Sequence, residues 1–142
     1  MRKRQRGFTL IELLVVLALL ALSVGLALPS WRTQQDQALW QAADQLAHDL
    51  EQARAQSQRQ GQPLGWQASA QGGQWLGRPG SPVASWPLPD LQVQVQGPLI
   101  LGPEPILPAQ ALRLSRASQP SLQVWVWSDG VRPFAASWSA PP

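Results

Sequence analysis

Three patterns of apolar and polar positions follow one another along the chain. Residues 8–28 form a nearly continuous apolar run in which Glu12 is the only charged residue. From Ser30 to Gly61 the apolar positions recur every three or four residues, and beyond Gly61 short stretches alternate with a period of two. The first two patterns are typical of a long helix and the third of half-buried strands. The sequence therefore predicts an α+β fold, with a long N-terminal helix followed by an antiparallel β domain.

The second segment, 30–61, predicts an amphipathic helix that continues the first. Its apolar stripe runs from Leu39 to Leu50 and beyond, while glutamines occupy the opposite faces. By this pattern Arg54 falls on the polar side of the stripe. The Gly-Gln-Pro sequence at 61–63 predicts the helix end, since glycine favours the left-handed C-terminal conformation and proline does not continue a helix.

Residues 62–142 predict a β domain of about six to seven short strands. Proline-rich stretches at 77–90 and 97–108 predict loops, and the Ser-Asp-Gly sequence at 128–130 predicts a hairpin turn. The stretches that predict strands are 64–69, 74–76, 91–96, 112–116, 122–127 and 131–138.

The front of the chain predicts a membrane segment with a defined orientation. At about 1.5 Å per residue, the apolar run spans the roughly 30 Å hydrocarbon core of a bilayer. Four basic residues lie in the leader 1–7, ahead of this run. Positive charge stays on the cytoplasmic side. We therefore expect a single-pass protein with a transmembrane helix over 8–29 and its β domain across the membrane.

Glu12 distinguishes between three kinds of N-terminal segment. An ordinary signal peptide, cut near the small residues at 25–27, leaves this carboxylate without a role, and so does a plain membrane anchor. A carboxylate inside an apolar membrane segment costs about 2.5–3.5 kcal/mol on insertion scales, so it normally has a function.

The hexapeptide Gly-Phe-Thr-Leu-Ile-Glu at 7–12 resembles the processing motif of type IV pilins and type II secretion pseudopilins. The resemblance implies that a prepilin peptidase cuts between Gly7 and Phe8 and that the new amine of Phe8 is methylated. It also implies that Glu12 neutralises the N-terminal amine of a neighbouring subunit during filament assembly. The proline at 29 lies at a position where pilin helices commonly have one.

The charge balance argues against a nucleic-acid partner once the leader is considered. Residues 1–7 hold four of the eleven Lys and Arg residues and none of the eight Asp and Glu residues. The rest of the chain is slightly acidic, whereas nucleic-acid binding requires a basic surface. There is no cysteine, which excludes disulfides and thiolate chemistry.

The β domain resembles that of the H-type minor pseudopilins of type II secretion, within the type IV pilin-like superfamily. The resemblance rests on a Leu-Gly-Trp stretch at 64–66, a Gln-Trp-Leu stretch at 74–76 and the closing pattern over 122–134. It implies a structural subunit at or near the tip of a bacterial periplasmic pseudopilus that aids export of folded proteins. Its partners would be other minor and major pseudopilins and the inner-membrane secretion platform. The alternative is a minor type IV pilin, including a tip subunit that binds DNA or another ligand.

No other motif predicts an enzyme, a cofactor or a metal site. His48 is the only histidine, and with Asp44 it supplies at most half of a metal site. Glu104 and Asp129 are too far apart in the sequence to indicate a calcium loop or a glycosidase pair.

The tryptophans leave three possibilities open: core residues, an interface with a partner subunit, or a stacking platform for a ligand. Trp125 and Trp127 should share one strand face, with Val124 and Val126 on the other. The tryptophans of the β domain are Trp66, Trp75, Trp86, Trp125, Trp127 and Trp138.

Overall fold

A computed structural model describes residues 10–78 and 80–142, with side chains described outside 20–33. The chain divides into two compact units, Met1–Gln35 and Asp36–Pro142. The long helix α1 extends over Leu10–Gln60. The α+β prediction, with a long N-terminal helix before antiparallel sheets, is confirmed.

The helix ends where the sequence predicts. Gly61 adopts a φ of +62°, in the left-handed region that glycine enters without a steric cost. The backbone N–H of Gln62 donates to the carbonyl of Ser57 at 3.3 Å, which satisfies one of the last helical carbonyls. This end turns the chain directly toward the first strand.

Eight strands are present among the described residues, slightly more than the six to seven expected. They form two antiparallel four-stranded sheets, with strand orders β3-β2-β1-β5 and β4-β6-β7-β8. The strands are β1 (Gly65–Ala68), β2 (Gly72–Leu76), β3 (Ala84–Ser85), β4 (Leu91–Val95), β5 (Leu99–Ile100), β6 (Gln110–Arg116), β7 (Gln119–Ser128) and β8 (Ala135–Ser137).

The two extra strands lie in stretches expected to be loops. β3 lies within 77–90 and β5 within 97–108, and each is only two residues long because prolines on both sides interrupt the ladder. β5 returns to the first sheet and pairs with β1, through Gly65 opposite Ile100. The chain therefore crosses from one sheet to the other between β4 and β5 and again before β6.

The last strands differ from the expected ranges. β7 begins at Gln119, after a two-residue connection from β6, and not at Leu122. The return strand is confined to Ala135–Ser137, so residues 129–134 form a six-residue connection where a tight turn was expected. The reason is that side chains of α1 form long-range hydrogen bonds with the backbone of this connection.

The core lies between the C-terminal part of α1 and the two sheets. Small and branched residues of the helix stripe, including Leu39 and Leu50, are fully buried. They pack in one cluster with Trp66 of β1 and with Val124 and Val126 of β7. The valines and tryptophans of β7 take opposite faces, as predicted, and the structure shows that the valines point inward.

Candidate functional site

The structure describes the predicted assembly residue but not the predicted processing site. Gly7 and Phe8 lie outside the described residues. Glu12 lies in the first turn of α1 and is exposed. An acidic residue in the first turn complements the positive end of the helix dipole, so this position also suits a carboxylate locally.

The first turns of α1 expose apolar side chains around the whole helix. Leu10 is 77% exposed and Ile11 69%. A helix that is apolar on all sides requires an apolar environment, either lipid or the helices of other subunits. Among the fully described residues, no helix combines the length and hydropathy needed to cross a membrane. The exposed large apolar residues of this segment are Leu10, Ile11, Leu13, Leu14, Val15, Val16, Leu17 and Leu19.

Arg54 is buried, with only 4% of its surface exposed, which corrects the expectation that it lies on the polar side of the helix. Its guanidinium donates to the carbonyls of Gly130 at 2.7 Å, Arg132 at 3.1 Å and Pro105 at 3.4 Å. A fork of N–H donors suits several carbonyls at once. Arg54 therefore connects α1 to two loops of the β domain.

Glu51 completes this connection one turn earlier on the helix. Its carboxylate lies 3.8 Å from the Arg54 guanidinium and accepts a hydrogen bond from the backbone N–H of Phe134 at 3.2 Å. Phe134 is itself buried in the core. The pair thus positions the chain that leads into β8.

The connection between β7 and β8 is built around Gly130. Gly130 has a φ of +90°, and a Cβ added there would lie 1.8 Å from the carbonyl oxygen of Leu107. Only glycine permits this close approach. Asp129 accepts hydrogen bonds from the backbone N–H groups of Arg132 and Val131, which lower the pKa of its carboxyl.

Asp90 and Arg116 form an ion pair at the opposite end of the second sheet. The guanidinium Nε lies 3.0 Å from both carboxylate oxygens and Nη2 lies 2.9 Å from one of them. Ser118 donates a third hydrogen bond to Asp90. The hydrogen bond from Arg116, followed by that from Ser118, lowers the pKa of Asp90 from 3.8 to about 2. Sequence patterns do not reveal this pairing, because Asp90 lies in the turn before β4 and Arg116 at the end of β6, 26 positions away.

We expect the Asp90–Arg116 pair to make stability pH-dependent in acid. A carboxyl with a lowered folded-state pKa stabilises the fold above its unfolded value of 3.8, and this contribution disappears as pH falls toward about 2. The free energy of unfolding of the wild type should therefore exceed that of Asp90→Asn above about pH 4. Denaturant titrations between pH 7 and pH 2 measure this difference.

The matched variants for this pair are Arg116→Gln and the double substitution. Since both single substitutions break the same contact, their effects should not add at pH 7. Because the folded-state pKa of Asp90 is about 2, the coupling between them should decrease as pH falls through that value. An additive double variant at pH 7, or a coupling that does not change with pH, contradicts the assignment.

His48 contacts a neighbour on its own helix and no acidic cluster. Its Nε2 lies 2.7 Å from Nε2 of Gln52, on the exposed helix surface. Within 10–78 and 80–142, no three His, Cys, Asp or Glu residues are grouped as metal ligands.

The tryptophans divide among the possibilities that the sequence leaves open. Trp66 is 2% exposed and is a core residue, whereas Trp125 and Trp127 lie on the outer face of β7, opposite the buried valines. Trp138 is 48% exposed and stacks on Trp40 of α1, with ring centroids 5.3 Å apart. Core packing therefore accounts for only part of the set.

Comparison with known proteins gives two family matches. The model of the prokaryotic N-terminal methylation motif matches residues 2–28, and the model described as "Type II transport protein GspH" matches residues 42–130. No curated protein and no solved structure gives a match. The second match covers α1 from residue 42 to its end and the strands from β1 through β7.

Proposed function

Because the chain belongs to the GspH family of type II transport proteins, inner-membrane-anchored pseudopilins with a periplasmic domain, we propose that it is a structural minor pseudopilin at or near the pseudopilus tip. In this role it helps to move folded proteins across the outer membrane. The chain performs no catalysis. It acts through contacts with other minor and major pseudopilins and with the inner-membrane secretion platform.

The observation that carries this proposal is the exposed apolar start of α1 with a carboxylate in its first turn. The side chains from Leu10 to Leu19 are too exposed and too apolar for a helix that is surrounded by water in the mature protein. Glu12 supplies the single charge that sets the register between neighbouring helices. The match to the methylation motif over residues 2–28 supports the same assignment.

We further propose that residues 1–7 are removed and that the mature chain begins at N-methylated Phe8. Residues 8–29 then lie in the inner membrane as a single span, 30–61 continue the helix, and 62–142 form the periplasmic β domain. The buried guanidinium of Arg54 on α1 connects the helix to loops of this β domain, a structural use of charge that supports the proposed role.

Mass spectrometry of the mature protein tests this proposal. We expect an N-terminal peptide that starts at methylated Phe8, and we expect Gly7→Ala to block or slow its appearance, because the side chain obstructs a tight peptidase site. Thr9→Ser, which leaves the cleaved bond unchanged, is the matched control and should be processed normally. A mature N-terminus near residue 28 would contradict the proposal and indicate an ordinary signal peptide.

A further inference from the structure

The outer face of the second sheet contains a groove that the proposed export role does not use. Its volume is about 830 Å³, within the roughly 300–1,000 Å³ typical of binding clefts. The floor contains Gln94, Arg113 and Trp125, and the walls contain Pro98 and Pro108. An occupant would contact a lining that is more apolar than polar and includes one cation, Arg113.

Arg113 is held in this groove in a defined orientation. Its guanidinium carbon lies 5.8 Å from the ring centroid of Trp125, and its Nη atoms donate to the amide oxygens of Gln94 and, at 3.4 Å, Gln123. The ion pairs between described residues involve Arg54, Arg116 and Arg132. Arg113 therefore has only neutral acceptors within the described chain. A guanidinium held this way is suited to a carboxylate.

Between two residues that line the groove, Ile100 and Pro108, the chain contains an exposed segment, Glu104-Pro105-Ile106, which we name the knob. Glu104 is exposed and Ile106 is 71% exposed, although isoleucine is usually buried. Prolines at 103 and 105 restrict the backbone on both sides of Glu104.

The knob is held at the surface by its ends. Leu101 and Leu107 are buried in the domain. The carbonyl of Pro105 accepts a hydrogen bond from Arg54, and the N–H of Leu107 donates to the carbonyl of Gly130. An apolar side chain presented on such an ordered loop loses little conformational entropy when it binds.

We propose that the knob of one copy of this chain docks in the groove of a second copy. The carboxylate of Glu104 then pairs with the guanidinium of Arg113, and Ile106 packs against the apolar walls. Ile100, four positions before Glu104, and Pro108, two positions after Ile106, line the groove. The knob and the groove of one copy are therefore close to each other along the chain. A twofold axis next to them lets each copy place its knob in the groove of the other, as an isologous contact requires. The contact is independent of leader processing and of export.

Disulfide trapping tests this contact, because the chain has no native cysteine. Two differently tagged full-length chains are purified in detergent, one with Ile106→Cys and the other with Ala111→Cys, which lines the groove. Mild oxidation should join the two tags, since a disulfide forms only between Cα atoms closer than about 7 Å. Replacing Ala111→Cys with Ser121→Cys, exposed on β7 away from the groove, is the control and should give at least tenfold less product.

Charge reversal separates the specific pair from chance encounters. Glu104→Arg on the Ile106→Cys chain, or Arg113→Glu on the Ala111→Cys chain, should lower the yield at least tenfold. Combining both reversed chains should restore it. Because Glu104 is exposed and supports no other described contact, its variant still tests the proposal if Arg113→Glu unfolds in a thermal melt. A yield unaffected by Glu104→Arg, or equal to the Ser121→Cys control, overturns the proposal. The proposed role in export would not be affected.

Discussion

Arg54→Ala should lower the free energy of unfolding by about 1.5–3 kcal/mol, the range for a hydrogen bond to a charged group in the protein interior. The substitution leaves the carbonyls of Gly130, Arg132 and Pro105 without their shared donor inside the protein. The carbonyl of Pro105 then has no other donor among the described residues. The carbonyl of Gly130 keeps the N–H of Leu107, and that of Arg132 keeps the hydroxyl of Ser128. Glu51 would also lose the cation 3.8 Å away. Chemical denaturation of the full-length chain in detergent, followed by tryptophan fluorescence, measures the change.

Arg59→Ala is the matched control for this prediction. Arg59 lies on the same helix, but its side chain is exposed and donates only to the carbonyl of Ala55, one turn away. Surface substitutions of this kind usually change stability by less than about 0.5 kcal/mol. If Arg54→Ala were no more destabilising than Arg59→Ala, the network would not connect the helix to the loops as described.

Glu12→Val should leave leader removal intact and reduce incorporation into the pseudopilus at least tenfold. In the proposed filament, Glu12 faces the methylated amine of Phe8 in a neighbouring subunit, inside an apolar environment. Valine would leave that ammonium group without a partner, which costs several kcal/mol in such surroundings, and a loss of 1.4 kcal/mol already corresponds to a tenfold change. The ratio of processed subunit in sheared filaments to that in membranes measures incorporation.

Asp36→Asn is the control for Glu12→Val. It also removes a carboxylate from α1, but beyond the apolar run, so incorporation should stay near the wild-type level. If the leader of Glu12→Val were not removed, the carboxylate would be required for recognition by the peptidase. Normal incorporation of processed Glu12→Val would rule out the neutralisation of the neighbouring amine.

Arg54 holds two loops, and one of them contains the knob, so the stability of the fold and the proposed contact between copies both depend on this side chain. Arg54 bonds to Pro105 within the knob and to Gly130 in the β7–β8 connection. The helix, the knob and the last strand therefore depend on one side chain.

Local patterns were sufficient for the helix and for the longest strands. The three-to-four spacing from Leu39 to Leu50 predicts which helix face is buried, and the alternation around Val124 predicts that the valines and tryptophans of β7 lie on opposite faces. Both succeed because helix and strand periods decide locally where a side chain points. The motif at 7–12 and the single charge at Glu12 likewise identify the pilin-like class without any structure.

The remaining features of the fold depend on contacts between residues that are far apart in the sequence. The period around Ala53 places Arg54 with the polar residues, yet the loop carbonyls that bury it come from more than fifty positions away. The same holds for Asp90 with Arg116, for the two-residue strands β3 and β5, and for the groove that brings Arg113 together with Pro108. Sequence alone thus determined the apolar helix, its carboxylate and the core-facing residues of the amphipathic helix, since each follows from composition and local period. Only the tertiary structure decided which distant loops meet, because hydrogen bonds between them leave no periodic signal in the chain.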